Sequence, residues 1–284
     1  MTARGVDVRV EVLSDHAGAQ WNRTAHRLQE TEAALAAEND RLRQAERSLR
    51  ESRHAKGLWR RVLRVATGEE RTATARVEGA RQDVTRTADD RRRLDRRERQ
   101  QAAGVHGEDL LERGLAGLDD RWVMLRGYRN RRGETDHVLV GPLGVWAVEV
   151  KRRRVRLHVE GDRWLAERLD AYGNVVGSEP ATDATGRTWG RQVGDVAADL
   201  SAWLARNGHA VPVRTAVILL HAQAQFGRIA GPGVDLIGSR PSHLVDALGR
   251  WAAPLTPADV DEIVALVRRD HAFHERRRRA GGRR

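Results

Sequence analysis

The chain has 284 residues, 40% of them hydrophobic and 32% charged, a formal charge of +11 and no cysteine. That length holds one sizeable core plus an extension, or two small domains, and the missing cysteines exclude disulfides and thiolate metal ligands. No run approaches the roughly 18–20 apolar residues that span a bilayer and no apolar signal core opens the chain, so we expect a cytoplasmic protein with no membrane contact, and the positive charge favours a polyanionic partner, most simply nucleic acid.

Residues 1–20 carry Val6, Val8, Val10 and Val12 between Asp7, Arg9 and Glu11, a period-two strand pattern with one apolar face. A strand this short must join a sheet elsewhere in the chain or in a partner. Residues 21–103 then shift to Ala, Arg, Glu and Gln without proline, which is helix-forming material. Leu28, Leu35, Leu42 and Leu49 fall in one heptad column, with Ala25, Glu32, Asn39 and Glu46 in the weaker companion column. A second seam runs through Ala73, Val77, Ala80, Val84, Thr87, Arg91 and Leu94. Both seams suit a long coiled-coil arm, with a basic, glycine-bounded joint at 57–68. An antiparallel hairpin would bury the seams against each other, and a parallel homodimer would bury each against itself; the pattern fits both.

A globular region begins near residue 104. Gly107-Glu108-Asp109 is expected to open a helix, because acids in a first turn suit the macrodipole. Trp122–Leu125 reads as a short strand and 126–133 as a basic connection. Two apolar strands follow, Asp136–Val140 and Val145–Lys151, joined by the turn Gly141-Pro142-Leu143-Gly144. With Val140 opposite Val145, antiparallel pairing sets Asp136 opposite Glu149, and Lys151 points to the same side of the sheet as Glu149. Unpaired charges in apolar strands are costly to bury, so these three form a candidate site. Lys56 and Lys151 are the only lysines among 51 basic residues. A compact ammonium orients water or shifts its pKa more readily than a guanidinium does.

Further strands are expected at Val155–Val159, Arg163–Ala166, Val213–Leu220 and Val234–Ile237, with 170–187 a polar loop. Helices are expected over Thr188–Arg206, over Ser242–Trp251, and from Thr256 to His274. The order is that of an α/β core with mixed strand direction. His137 alternates to the face opposite Asp136 and reads as a structural histidine. His106, His158 and His221 show no metal-ligand spacing.

Gly107-Glu108, Thr135-Asp136-His137, Val140-Gly141-Pro142-Leu143-Gly144-Val145, Glu149-Val150-Lys151 and Gln192 together resemble the nuclease-related domain (NERD) family of the restriction-endonuclease-like PD-(D/E)XK superfamily. The resemblance covers about 104–220, with looser similarity to about 270, and leaves the arm outside it. It implies a restriction-endonuclease-like mixed sheet flanked by helices, with the nuclease-related domain over 104–275, while the basic composition of 276–284 is itself expected to make a disordered tail. It also implies that Asp136, Glu149 and Glu108 hold a metal, that Lys151 positions the attacking water, and that Gln192 lines the site. Asp109 and Glu112 are rivals for Glu108, and Glu134 for Asp136. Oxygen ligands without a His or Cys cluster favour Mg²⁺ or Mn²⁺. The activity implied is metal-dependent hydrolysis of DNA phosphodiesters, with the coiled coil serving dimerisation or partner docking. The alternative is a non-cleaving module on the same fold that binds nucleic acid or a protein.

Overall fold

A computed structural model of the chain describes residues 7–54 and 68–281. The chain divides into two compact units, Met1–His16 with Ala103–Arg284, and Ala17–Ala102. Two long helices, α1 (His16–His54) and α2 (Gly68–Leu115), supply the second unit, and the last part of α2 belongs to the first. The expected joint at 57–68 lies outside the described residues except for Gly68.

Within the helical unit the ion pairs run in reverse order along the two helices. Trp21 Nε1 donates to Glu98, Arg91 pairs with Glu32, Arg81 with Glu46, and Arg53 with Glu70. The helices therefore lie antiparallel, and of the two arrangements left open by the seams the chain adopts the one that pairs them within itself. Ala73 and Val77 are buried, while Ala80, Val84, Thr87, Arg91, Leu94 and the four leucines of α1 are half-buried. Two helices cannot cover each other's seams fully, so the ion pairs along the rims supply the register.

The other unit is built on a six-stranded mixed sheet in the order β1-β2-β3-β4-β8-β10. These strands are β1 (Arg9–Val12), β2 (Val123–Asn130), β3 (Gly133–Gly141), β4 (Gly144–Lys151), β8 (Val213–Leu219) and β10 (Leu236–Gly238). The N-terminal strand pattern finds its partner within the chain, since β1 pairs parallel with β2. The β3–β4 hairpin closes with Val140 opposite Val145, and β4 then pairs parallel with β8 as far as Lys151 opposite Leu219. A four-stranded sheet, β7-β6-β5-β9, lies beside it, from β5 (Val155–Glu160), β6 (Arg163–Leu169), β7 (Val175–Pro180) and β9 (Gln225–Ala230).

One face of the large sheet packs Met124, Leu139, Trp146, Val148 and Ile218 on Leu111 and Leu115 of α2 and on α4 (Pro241–Arg250). The opposite face packs Leu125, Val138, Val140 and Val145 on α3 (Trp189–Arg206) and α5 (Pro257–Gly281). Thr188 caps α3 by accepting the Arg191 amide, and the buried stripe Trp189, Val193, Val196, Ala197, Leu200 and Leu204 turns toward the sheets. Thr256 and Asp259 cap α5 reciprocally, each side chain meeting the other's amide.

Four expectations are corrected. Glu108 does not open a helix but lies inside α2, because glycines at 104 and 107 weaken a helix by only about 1 kcal/mol each and a continuous helix keeps every backbone bond. The connection at 126–133 is largely the continuation of β2, which passes through Gly127 at φ +72°. The loop at 170–187 contains β7, an edge strand with exposed Val175 and Val176; a strand with one neighbour and little buried face shows no apolar alternation. The tail expected to be disordered from 276 continues α5 to Gly281, with Arg278 and Arg279 paired to the buried Glu275.

Gly190 in α3 tests how closely that helix is seated. A methyl group there would lie 2.4 Å from the buried Trp164 ring of β6. In urea unfolding we expect Gly190→Ala to destabilise by about 1–3 kcal/mol through overpacking, exceeding the roughly 1 kcal/mol gain in helix propensity. A neutral or stabilising result would show that the helix can move away from the ring.

Candidate active site

The site forms where β3 and β4 part. Their ladder runs to His137 opposite Val148, and beyond it β4 stays with β8 while side chains of β3 take over its bonding. Thr135 Oγ1 donates to the Val148 carbonyl at 3.0 Å, and the Val150 amide donates to Asp136 Oδ2 at 2.6 Å. Asp136 therefore meets β4 through its carboxylate, one step past the last backbone pair, near Glu149 as the hairpin register requires. Glu149 is buried and pairs with the partly exposed Lys151. The Lys151 Nζ lies 5.9 Å from the Trp189 ring centroid of α3.

Gln192, one turn further along α3, completes this face. Its Nε2 donates to the Glu134 carbonyl at 3.3 Å. Gln192 Oε1 and Glu149 Oε2 are both buried without a hydrogen-bond partner. Two orphaned buried oxygens are costly unless a cation or a donor reaches them.

Electrostatics point the same way. Burial, followed by the Asp136 carboxylate, pushes Glu149 up to about 8, against the pull of Lys151. Burial and Asp136 likewise push Glu108 up to about 8. Although burial acts against it, Glu149 and Asp136 hold the Lys151 ammonium above its ordinary value. The lysine thus stays charged here and offers protons and positive charge, its pKa shifted up by the acids and not down by burial. Carboxylates crowded until they resist ionisation are a mark of functional sites.

Glu108 reaches this cluster from α2 and is held by a cation that the sequence did not single out. Arg126 of β2 donates to Glu108 at 2.8 Å and also contacts Asp109 at 3.5 Å and Glu112 at 3.4 Å. Glu112 additionally meets His137 Nε2 at 3.2 Å, on the face away from Asp136. The rivals named for Glu108 are thus bound into the Arg126 and His137 network, and Glu134 pairs with Arg129. Arg126 was missed because its segment read as a connection; recognising β2 as eight residues long would have placed it beside His137.

Among the described residues no group of three His, Cys, Asp or Glu side chains is gathered as a ready metal cluster. The oxygens of Asp136, Glu149 and Gln192 nonetheless suit a hard divalent cation chemically, and two of them are buried without a hydrogen-bond partner.

The raised carboxyls set a pH dependence. Acids with folded-state pKa values above their ordinary 4.5 hold extra protons in the native state. Their contribution to stability is full below about 4.5 and is lost as pH rises toward about 8. In chelating buffer the urea midpoint should therefore fall between pH 5 and pH 8, and Glu149→Gln should flatten that slope. A midpoint that rises over this range, or a slope unchanged in Glu149→Gln, would contradict the arrangement.

Arg126→Met offers a separate check. It leaves Glu108, Asp109 and Glu112 without their shared cation, so we expect a loss of about 3–5 kcal/mol in urea unfolding at pH 8, and less at pH 5, where Glu108 holds its proton.

The family model described as nuclease-related domain matches residues 103–220, a span holding Glu108, Asp136, Glu149, Lys151 and Gln192. No curated protein and no solved structure matches the chain. Over residues 103–220 the chain is thus similar to the nuclease-related domain (NERD) family.

Proposed function

We propose that the chain is a metal-dependent nuclease that hydrolyses DNA phosphodiesters at Asp136, Glu149 and Lys151. The observation that carries this reading is the buried, unpartnered Glu149 Oε2 beside Asp136 and a charged lysine, inside a nuclease-related domain. Asp136 and Glu149 would hold Mg²⁺ or Mn²⁺, with Gln192 Oε1 available beside them and Glu108 joining on release from Arg126. When bound, such an ion offsets negative charge on the phosphate and makes water acidic enough to attack near neutral pH.

The chain's own residues supply the rest. Asp136 is fixed by the Val150 amide, so its second oxygen is aimed without loss of side-chain freedom at the moment of binding. Lys151 is oriented by Glu149 and Trp189; its ammonium donates hydrogen bonds to the attacking water or to a phosphate oxygen and counters the charge that grows there. Glu149, with its own burial resisting ionisation, would give up its proton to solvent on holding such an ion. Cleavage should therefore rise with pH through the neutral range.

For the arm we propose docking of a partner, since its seams already face each other within one chain. The alternative reading, a module that binds without cutting, draws on the Arg126 clasp on Glu108.

The test is cleavage of supercoiled, linear and single-stranded DNA with Mg²⁺ or Mn²⁺. We expect Asp136→Ala and Lys151→Ala each to lower the rate at least about 10²-fold, with binding of DNA in chelating buffer retained. Pure wild-type protein that binds DNA with salt sensitivity yet cuts none would favour the alternative reading.

A further inference from the structure

Immediately after Lys151 the chain reads Arg152-Arg153-Arg154, and these three are not equivalent. Arg153 is satisfied, pairing with Glu179 at 2.6 Å and lying 5.8 Å from the Trp189 ring centroid. Arg152 is not. Its Nε is buried without a hydrogen-bond partner, and successive residues of a strand point to opposite sides, so it turns toward α2 while Lys151 turns toward α3. Gly107 makes room for it: a methyl group there would lie 3.2 Å from Arg152 Cβ and 3.2 Å from Val150 Cγ1. The absence of a side chain on α2 thus lets the arginine stem lie on the helix.

His221 stands at the end of the neighbouring strand. The Leu220 amide donates to the Lys151 carbonyl at 2.9 Å, which brings the ends of β4 and β8 side by side. The Gln223 amide donates to His221 Nδ1 at 3.1 Å, so in the neutral ring the proton sits on Nε2, which is left as a donor. Burial, Arg154 and Arg152 together hold the imidazole below its ordinary value. Among the described residues, neither Arg152 nor Arg154 has a carboxylate partner. Two arginines and an imidazole donor thus follow the carboxyl ends of two parallel strands that are bonded to each other there, where open α/β sheets bind ligands.

We propose that Arg152, Arg154 and His221 form a phosphate-binding subsite that receives an internucleotide phosphate beside the one cut at Asp136, Glu149 and Lys151. This deepens the nuclease reading and rests on it. Guanidinium forks match phosphate oxygens, and a neutral imidazole adds a hydrogen bond without further charge. The subsite lies on the other side of β4 from Lys151, so it holds a flanking phosphate, and a strand bound there crosses the end of the sheet.

The experiment separates binding from chemistry. Fluorescence anisotropy with labelled single-stranded and duplex oligonucleotides in chelating buffer, over a salt series, gives affinity and its salt slope. For the Arg152→Gln, Arg154→Gln double variant we expect affinity to fall about 10-fold and the slope to shrink by roughly one to two counterions. Manganese-dependent hydrolysis of bis(p-nitrophenyl) phosphate, which has a single phosphate, should be unchanged. Arg154 is exposed, so Arg154→Gln alone keeps the test alive if the double variant misfolds, with a slope smaller by about one. Arg152→Lys should restore part of the affinity. An unchanged affinity and slope in variants of a wild type that binds and cuts DNA would overturn the subsite alone. An equal loss on bis(p-nitrophenyl) phosphate would overturn it too, by making these residues part of the chemistry. A wild type that neither binds nor cuts nucleic acid would end both readings.

Discussion

Everything in the site depends on the Asp136 carboxylate accepting the Val150 amide. Backbone groups in a sheet must be paired, and β4 cannot leave β3 to follow β8 unless something replaces the missing ladder bonds. Thr135 and Asp136 replace them with side-chain atoms. The substitution lets two strands part without orphaned backbone groups and, in the same act, fixes an acid at the fork. Glu149 and Lys151 follow from register, because β4 keeps its alternation as it pairs with β8.

Around this fork the charges divide into two groups by the side of the sheet they occupy. Asp136, Glu149, Lys151 and Gln192 converge toward α3. Arg126, Glu112 and His137 converge toward α2, and Glu108 stands between, held by Arg126 yet close enough to Asp136 to resist ionisation. The arrangement keeps the acids together without unfolding the protein: the α2 side is neutralised by a guanidinium, while the α3 side retains an unsatisfied oxygen. An unpartnered acceptor is a cost to stability, and in a span that matches the nuclease-related domain model its place beside a charged lysine is the reason to read it as a site.

The helical unit obeys a different constraint. Its seams are too poor in large apolar residues to exclude water, so ion pairs such as Arg91 with Glu32 and Arg81 with Glu46 align the helices. Exposed pairs contribute little each, which leaves register, more than stability, as their effect. The same arginine-rich composition carries α5 past the point where a disordered tail was expected, because Glu275 gathers Arg278 and Arg279.

Much of this was legible in the residues themselves. The β3–β4 hairpin, the amphipathic α3 and the two seams each rest on a period that local sequence fixes, and the side of the sheet for Asp136, Glu149 and Lys151 follows from alternation alone. Tertiary structure decided what periodicity cannot carry. Whether Gly107 opens a helix or lies inside one and admits Arg152 against it depends on what packs there, and β7 needed β6 to be a strand at all. Arg126 became the clasp on Glu108 only once β2 and α2 were neighbours. The sequence by itself determined which side chains share a face, since that is geometry within one element; only the fold decided which of them find partners, since that depends on elements brought together from far along the chain.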